Sequence, residues 1–294
     1  MAEMEYRRAE KPDRDSIQAL LERVDPGDWV LEALDHVLQL EPGGLYVAQS
    51  EGDPMAVSLM SFPREGEASF SAMRVDPEVR RSGVATEFTR FLVEEAGRLG
   101  AGVCRLLVEH DNAASHGLVK KAGFEQVDEW RVFTGLDLGY DQPASGVGQT
   151  GLRNMSQARM YFSRNMKATN PAGLIASPEV PWELHSMDWR YLQDLVKSRQ
   201  LVLRHGSDGT EGALILGSDA HRKPKTLVIR YLDGEKPARE NLLRYLTRQA
   251  QELEADVGAS LPEAQALGLI DLLSGEPEHF RFSVYQRGID QGEV

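Results

Sequence analysis

The sequence predicts an α/β protein in which a mixed, mostly antiparallel sheet is flanked by helices, with two similarly built domains in tandem. Residues 12–138 show the periodicities of a helix, antiparallel strands, a long helix, a strand, a short helix and a strand, and this order returns after residue 185. Between the two series, "DQPASGVGQTGL" begins at residue 141 and is typical of a linker. We therefore predict domains at 1–140 and 181–294, joined by a linker at 141–180.

The first half opens with amphipathic helical patterns and continues with strands separated by the turn signals "EGDP" and "PREGE". Asp28 is a suitable cap for the second helix, and Gly123 ends the last one. The predicted helices are 12–24, 28–40, 83–99 and 112–121, and the predicted strands are 44–50, 54–61, 67–75, 103–108 and 129–138.

The second half repeats the architecture without a convincing repeat of residues. The tract "TNPAGLIASPEVPW" before it is expected to be irregular. The predicted helices are 186–198, 237–255 and 262–273, and the predicted strands are 199–205, 211–217, 225–232, 257–261 and 279–287.

The composition is that of an acidic globular protein. The 294 residues include 33 basic and 46 acidic ones, for a net charge of −13. Such a surface repels nucleic acid and anionic membranes, so we expect neither as a partner. No apolar run approaches the roughly 18 residues of a spanning helix, and the first residues have no apolar signal core. We therefore expect a cytoplasmic protein.

The cysteine and two of the histidines do not suggest a reactive or metal site. Cys104 is the one cysteine, so no internal disulfide can form, and its apolar surroundings "VCRLLV" predict a core residue. His110 and His116 are six residues apart, not the four that place two ligands on one helix face. We expect no metal site.

A candidate anion site lies within "MRVDPEVRRSGVATEFTRFL", residues 73–92. A strand breaks at Asp76-Pro77, and a helix begins shortly afterwards with unpaired N–H groups and a partial positive charge, which suits a phosphate. Gly83 lets a ligand approach the backbone closely, and two arginines add charge. The candidate residues are Arg80, Arg81, Ser82, Gly83, Val84, Ala85 and Thr86.

The loop "RRSGVA" fits the pattern Gln/Arg-x-x-Gly-x-Gly/Ala and, with "MRVDPEV" before it, resembles the acyl-CoA-binding motif of the GNAT superfamily of N-acetyltransferases. The stretch "NAASHGLVKKAGF" is similar to the family's ending Asn-x-x-Ala-x-x-Leu-Tyr-x-Lys-x-Gly-Phe. The resemblance covers roughly residues 4–138, and it is the order and spacing of these short motifs that make it specific.

This resemblance implies a GNAT fold with acetyl-CoA as acyl donor and no metal. It places the pyrophosphate on the loop and the pantetheine arm in a V between the strand before the loop and the strand after the long helix. The arm would meet backbone groups of Met73 and Val75, and the thioester carbonyl would be polarised there. Asn112 and Ser115 match positions near the cofactor, although Asn112 also suits a helix N-cap.

The catalytic residues are less defined by the resemblance. The family's proton-donating tyrosine falls at Val119, so the thiolate is protonated by another group such as His116, by water, or leaves unassisted. Glu67 and Glu109 are the candidate bases for the attacking amine, directly or through water. Alternation along the strand predicts one face for Glu67, Ser69, Ser71, Met73 and Val75.

The second half lacks the loop, because "TLVIRYL" runs into "DGEKPARENLL" without the glycine pattern. We expect this domain to be degenerate and not to bind CoA, and instead to shape the acceptor site, to dimerise or to stabilise the chain.

The main hypothesis is an acetyl-CoA-dependent N-acetyltransferase acting by direct transfer on a primary amine, which is a small amine, an amino acid or a protein N-terminus. The alternatives are an acyl-CoA-binding module without catalysis and a partner-binding protein with a vestigial loop. A homodimer remains open.

The segment 150–170 carries Arg153, Arg159, Arg164 and Lys167 without an intervening acidic residue. It is predicted either to be a basic connector that packs on the acidic domains or to lie over the first domain's cleft. In the second case an arginine would hold a carboxylate of the acceptor or the 3′-phosphate of CoA.

Overall fold

The computed structural model describes residues 4–151, 154–178, 180–207, 209–219, 225–275 and 277–289. The chain divides into two compact units, Met1–Gln126 with Val284–Val294, and Val127–Ser283. This division differs from the predicted domains 1–140 and 181–294, because residues 127–140 and the predicted linker lie in the second unit and the end of the last strand lies in the first. Periodicity identifies a strand, but it does not identify the sheet in which that strand will find its hydrogen bonds.

The first unit is a sheet with helices on both faces. Its strands are β1 (Met4–Arg8), β2 (Gly44–Ser50), β3 (Asp53–Arg64), β4 (Glu67–Val75) and β5 (Val103–Glu109). Its helices are α1 (Arg14–Val24), α2 (Trp29–Val37), α3 (Val84–Arg98) and α4 (Ala113–Lys121). Neighbouring strands from β1 to β4 pair antiparallel, and β4 pairs parallel with β5.

Different helices cover the two faces of this sheet. On one face, which we call the α1/α2 face, Leu20 and Leu34 pack in one cluster with Leu59. On the other, the α3/α4 face, Phe88 packs in a cluster with Phe70. The apolar stripes of the amphipathic helices decide which side of each helix is buried.

The second unit has the same kind of architecture. Its strands are β6 (Glu125–Phe133), β7 (Val147–Gln149), β8 (Leu174–Ala176), β9 (Leu184–Ser186), β10 (Leu201–Gly206), β11 (Gly209–Asp219), β12 (Thr226–Gly234) and β13 (Asp256–Pro262). Its helices are α5 (Met155–Thr169), α6 (Trp189–Lys197), α7 (Lys236–Leu253) and α8 (Glu263–Ile270). Strands β10 to β12 pair antiparallel in sequence, β12 pairs parallel with β13, and β13 pairs antiparallel with β6.

The last strand, β14 (His279–Gly288), completes the first unit with its final residues. These residues lie beside β5, and just after them the backbone N–H of Ile289 donates to the carbonyl of Gly102 over 3.0 Å. Part of the first unit's core therefore comes from the end of the chain.

The predicted fold class, a mixed and mostly antiparallel sheet with flanking helices in two GNAT-like units, is confirmed. Five elements were not predicted: β1, α5 and the three-residue strands β7, β8 and β9, of which β8 lies in the tract that was expected to be irregular. Strand β1 has only Met4 and Tyr6 as alternating apolar residues, too short a pattern to stand out. Helix α5 lies in the predicted linker, where the apolar spacing of Ala158, Tyr161 and Phe162, all buried, was the available signal.

Candidate functional site

Strands β4 and β5 separate part-way along their length. They pair from Glu67 opposite Val103 to Phe70 opposite Leu106, and both continue beyond that rung, β5 to Glu109. The ladder between the two strands therefore stops where the strands still run on, and a gap opens between them. We call this gap the splay. It lies directly before the loop that leads from β4 to α3.

A β-bulge in β4 lies at the splay. Ser71 is opposite Leu59 and Arg74 is opposite Val57, so β4 has one residue more than β3 in this interval. Ala72 in the bulge has a φ of 52°, in the left-handed region that residues with a Cβ rarely adopt. An extra residue reverses the alternation of the side chains that follow it.

The bulge therefore overturns the predicted common face of β4. Met73 and Val75 pack with Phe70 on the α3/α4 face. They therefore do not share a face with Glu67, Ser69 and Ser71, as simple alternation predicted. Arg74 takes the α1/α2 side, where its guanidinium pairs with the buried carboxylate of Asp28. Asp28 also accepts a hydrogen bond from the backbone N–H of Val30 at 3.0 Å, as the predicted cap of α2.

The start of α3 forms a cradle of backbone donors. Gly83 is the N-cap with a φ of 98°, and no side chain of the described residues caps the helix. The N–H groups of Thr86 and Glu87 bond back to the Gly83 carbonyl at 3.0 and 3.1 Å. The N–H groups of Val84 and Ala85 precede them in the first turn, where the helix provides no acceptor. These are donors available to an anion.

The space in front of this helix start is open. A Cβ on Gly83 would have no atom of the described residues within 4 Å, apart from its chain neighbours and its own helix. Arg81, two residues before Gly83, has a φ of 65°, a strained conformation for a residue with a side chain. Arg80, Arg81, Ser82 and Gly83 are exposed to solvent. The cradle therefore has a defined backbone conformation and is accessible to a ligand from solvent.

Asp76 holds the start of the loop through hydrogen bonds. Its carboxylate accepts from the backbone N–H of Glu78 at 2.9 Å and from Arg23 Nη2 at 2.8 Å. Burial would raise the pKa of Asp76, but these two hydrogen bonds and the positive charge of Arg23 outweigh it and hold the pKa below its usual value. The carboxylate thus anchors the loop to α1.

Two further bonds fix the loop. Arg80 Nε donates to the carbonyl of Val75 over 3.2 Å, so this arginine lies back along the end of β4. The Ser82 hydroxyl donates to the carbonyl of Val79 over 2.7 Å. The backbone N–H groups therefore provide the cradle, and the serine side chain serves to close its turn.

Helix α4 begins next to the end of β5 with two polar side chains in place. Asn112 Oδ1 accepts from the backbone N–H of Ser115 over 3.0 Å, so Asn112 is the N-cap that its position predicted. The imidazole of His116 lies between two partners: Nδ1 is 2.9 Å from the hydroxyl of Tyr285, and Nε2 is 3.1 Å from the carbonyl oxygen of His110.

Val119 is buried in the same apolar cluster as Tyr285. Valine provides no hydrogen-bonding group to the splay, so the tyrosine contact of His116 is the polar feature of this region. Sequence reasoning missed Tyr285 completely. It lies on β14, and no local pattern indicates that this strand returns to the first unit.

The structure separates the two candidate bases. Glu67 is buried at the paired end of β4, where its carboxylate pairs with Arg105 and lies 4.0 Å from Arg64 Nη1. It is three residues from the last paired rung, about 10 Å at the rise of a strand. Glu109 ends β5 on the open side of the splay and is exposed. The structure brings Glu109, not Glu67, to the splay.

Comparison with protein-family models decides the identity of the first unit. Residues 14–124 match the model of the acetyltransferase (GNAT) family, which covers the splay, the cradle and the start of α4. The chain carries a GNAT acetyltransferase domain. Because the enzymes of this family transfer acyl groups, this domain makes the chain an acyltransferase. No curated protein sequence matches the chain.

Solved structures resemble the chain over nearly all its length. A GCN5-related N-acetyltransferase from Sphaerobacter thermophilus is 15% identical with a TM-score of 0.55, and the match covers 98% of this chain and 97% of that one. A tandem GNAT protein from the clavulanic acid biosynthesis pathway is 12% identical with a TM-score of 0.55, covering 97% and 98%. At these identities the likeness shows a shared fold, that of two tandem GNAT units.

The second GNAT-like unit has its own splay, and a side chain bonds to the strand backbone beside it. Strands β12 and β13 pair up to Ile229 opposite Ala259. Leu232 is the third residue past that rung, as Met73 is in the first unit, and its N–H donates to Gln265 Oε1 over 3.0 Å. Gln265 is buried and comes from α8. The backbone donor that corresponds to Met73 therefore already has a partner inside the unit.

The second unit also lacks the cradle. Strand β12 ends at Gly234 and α7 begins at Lys236, so one residue, Glu235, takes the place of the eight-residue loop of the first unit. A carboxylate at a helix N-cap repels phosphate, and Pro237 in the first turn has no N–H to donate.

The basic segment forms helix α5 of the second unit. Arg159 lies over the ring of Trp189 with its guanidinium carbon 5.0 Å from the ring centroid, and Arg164 and Lys167 follow on the same helix. Arg153, the fourth basic residue of the prediction, lies outside the described residues.

Three further findings concern the predictions made from composition. Burial raises the pKa of the Cys104 thiol to about 12, in agreement with its predicted place in the core. Within the described part of the chain, no group of three or more His, Cys, Asp or Glu side chains is arranged to hold a metal ion. None of the described helices has both the length and the apolar character needed to cross a membrane.

Proposed function

We propose that the first unit transfers the acetyl group of acetyl-CoA directly to a primary amine. The observation that carries this proposal is the open, uncapped start of α3 at the mouth of the splay between β4 and β5. A helix start is suited to a pyrophosphate, and a gap between strands is suited to an extended arm that leads away from it. The two features adjoin each other in the chain.

The pyrophosphate would accept hydrogen bonds from the N–H groups of Val84 and Ala85. Arg81 is close enough in sequence to contribute charge, and Arg80 would do so after leaving the carbonyl of Val75. The pantetheine arm would run into the splay along β4. There the backbone near Met73 would donate to the thioester carbonyl and stabilise the negative charge that develops on its oxygen.

The amine must be neutral to attack the thioester. We assign proton removal to Glu109, directly or through a water molecule, because it is the candidate carboxylate at the open end of the splay. As the amine nitrogen bonds to the carbonyl carbon, the carbon–sulfur bond breaks and the thiolate of CoA leaves. His116 is the candidate that returns a proton to the sulfur, since Val119 cannot.

The test measures thiol release from acetyl-CoA with a panel of small amines, amino acids and peptides with free N-termini. We expect release above the amine-free background with at least one class. Glu109→Gln should lower kcat by about 100-fold, the usual scale for a general base, with unchanged CoA affinity. Glu125→Gln, at another exposed glutamate, is the control and should keep full activity. CoA binding without thiol release for every class would favour the non-catalytic module instead.

A further inference from the structure

His116 and Tyr285 form a hydrogen-bonded pair that joins α4 to the last strand of the chain. Nδ1 of His116 and the hydroxyl of Tyr285 are 2.9 Å apart, and the ring centroids are 5.7 Å apart. Tyr285 has no exposed surface, whereas His116 is half-buried. The hydroxyl is therefore out of reach of a ligand, and any effect it has on one must act through the histidine.

The second partner of the imidazole determines which ring nitrogen carries the hydrogen when the ring is neutral. The carbonyl oxygen of His110, 3.1 Å from Nε2, can only accept, so Nε2 carries the hydrogen. In the neutral ring Nδ1 is then an acceptor, and the Tyr285 hydroxyl donates to it. The His110 carbonyl thus selects the neutral tautomer with the hydrogen on Nε2, and the Tyr285 hydroxyl, by donating to Nδ1, fixes the orientation of the ring.

The same pair also suits the protonated ring. When Nδ1 gains a hydrogen it becomes a donor, and the tyrosine hydroxyl, which can donate or accept, turns to accept from it. The hydrogen bond therefore persists whether the imidazole is neutral or charged. A side chain that only donates or only accepts could not provide this, and a buried nitrogen without a partner would be costly.

We infer that Tyr285 is a positioning residue that holds His116 as the proton donor to the departing thiolate of CoA. This inference rests on the proposed acetyl transfer. In that step the carbon–sulfur bond of the thioester breaks, the imidazolium Nε2–H leaves the His110 carbonyl and gives its proton to the sulfur, and an S–H bond forms. Nδ1–H stays bonded to Tyr285 throughout. The step leaves the ring neutral with its hydrogen on Nδ1, and Nε2 then regains a proton equivalent to the one that the attacking amine gives up.

A tyrosine from a distant part of the chain supports the proton donor in place of the tyrosine expected on α4. The helix position at which the resemblance places a tyrosine is Val119, and the tyrosine of this structure reaches α4 from β14 instead. His116 lies three residues before Val119, so the two are neighbours on the helix surface. The first unit is therefore chemically incomplete without the strand that follows the second unit.

The experiment compares the full chain with Tyr285→Phe, His116→Ala and the double variant. Phenylalanine keeps the ring and removes only the hydroxyl. Tyr46→Phe is the matched control, because Tyr46 is also buried in the first unit and lies away from α4 on β2. Rates are measured as thiol release from acetyl-CoA with the best amine of the panel, CoA affinity by calorimetry, and the His116 tautomer by 15N NMR.

For Tyr285→Phe we expect kcat to fall by about tenfold or more, a part of the roughly 100-fold or more that a general acid contributes, with unchanged CoA affinity. The double variant should be no slower than His116→Ala, because both changes disable the same proton donor. The alkaline limb of the pH–rate profile should move, because a proton donor is lost as the pH rises, and the 15N signal of Nδ1 should change when the tyrosine hydroxyl no longer bonds to it. Tyr46→Phe should match wild type in each measurement.

Wild-type rate and pH profile in Tyr285→Phe, in a chain that transfers acetyl groups, would overturn the inference and leave the proposed function intact. Additive losses in the double variant would overturn it too. If the wild-type chain binds no CoA and releases no thiol, the proposed function fails and this inference fails with it.

Discussion

The backbone N–H of Leu232 donates to Gln265 Oε1 over 3.0 Å inside the second unit. The corresponding position of the first unit is Met73, beside the open splay. One glutamine side chain thus occupies, in the second unit, the position at which the proposed function places a ligand in the first. Together with the one-residue connection from β12 to α7, this explains in physical terms why two units of one fold would differ in function.

The first prediction is a stoichiometry of one CoA per chain. Calorimetric titration of the full chain with CoA should give a single site, because the second unit offers neither a cradle nor a free donor at Leu232. Gln265→Ala should leave the stoichiometry at one, since the variant opens the splay without building a phosphate loop. A second site in the wild-type chain would contradict the prediction that the second unit does not bind CoA.

The second prediction concerns the backbone of the cradle. Gly83→Asp should weaken CoA binding by about 100-fold or more, because a carboxylate in the open space would repel the pyrophosphate and φ of 98° disfavours any side chain. Gly52→Asp is the matched control: it has a φ of 90° and equally open space, but lies in the turn between β2 and β3. The control should lose stability and keep its CoA affinity.

The third prediction concerns acid sensitivity of the loop. Because the pKa of Asp76 is lowered in the folded protein, its contribution to stability is full above its unfolded pKa of about 4 and is lost as the pH falls through the lower folded value. Urea unfolding of wild type and Asp76→Asn should therefore differ most at neutral pH and converge in acid. An equal difference at pH 7 and pH 3 would show that the carboxylate does not act through its charge.

The fourth prediction concerns the division of the chain. A fragment of residues 1–140 should be much less stable than the first unit of the full chain, because it lacks the end of β14. It loses the bond from Arg105 Nε to Gln286 Oε1 at 2.8 Å and the bond from Arg287 Nη1 to the Ala122 carbonyl at 2.6 Å.

Hydrogen exchange of β5 amides measures this loss. A synthetic peptide of residues 279–294, added to the fragment, should restore part of the protection, and a peptide of scrambled sequence should not. Equal protection in the isolated fragment and the full chain would show that the last strand is dispensable to the first unit.

The fifth prediction concerns the basic helix α5. Arg159 packs on Trp189 within the second unit, so Arg159→Ala should cost stability there and leave the apparent KM values of acetyl-CoA and amine unchanged. Arg164→Ala should be silent in both constants. A shift confined to the amine constant would favour a carboxylate contact, and one confined to acetyl-CoA would favour a phosphate contact.

The sequence by itself determined the features that depend on neighbours along the chain. The periodicities of 12–24 and 237–255 reflect helices that bury one stripe, and they appear as α1 and α7. The cradle could be predicted because Gly83 and its neighbours are one continuous segment whose backbone geometry is local. The N-cap role of Asn112 was predictable for the same reason.

Only the tertiary structure decided what depends on residues distant in sequence. The bulge at Ala72 is set by register against β3, and it moved Met73 and Val75 to the opposite face from that predicted by simple alternation. Glu67, a candidate base by residue type, forms an ion pair with Arg105 at the paired end of β4, away from the splay. Tyr285 reaches His116 because the last strand finds its hydrogen bonds beside β5, and strand pairing is a long-range choice that no local pattern encodes.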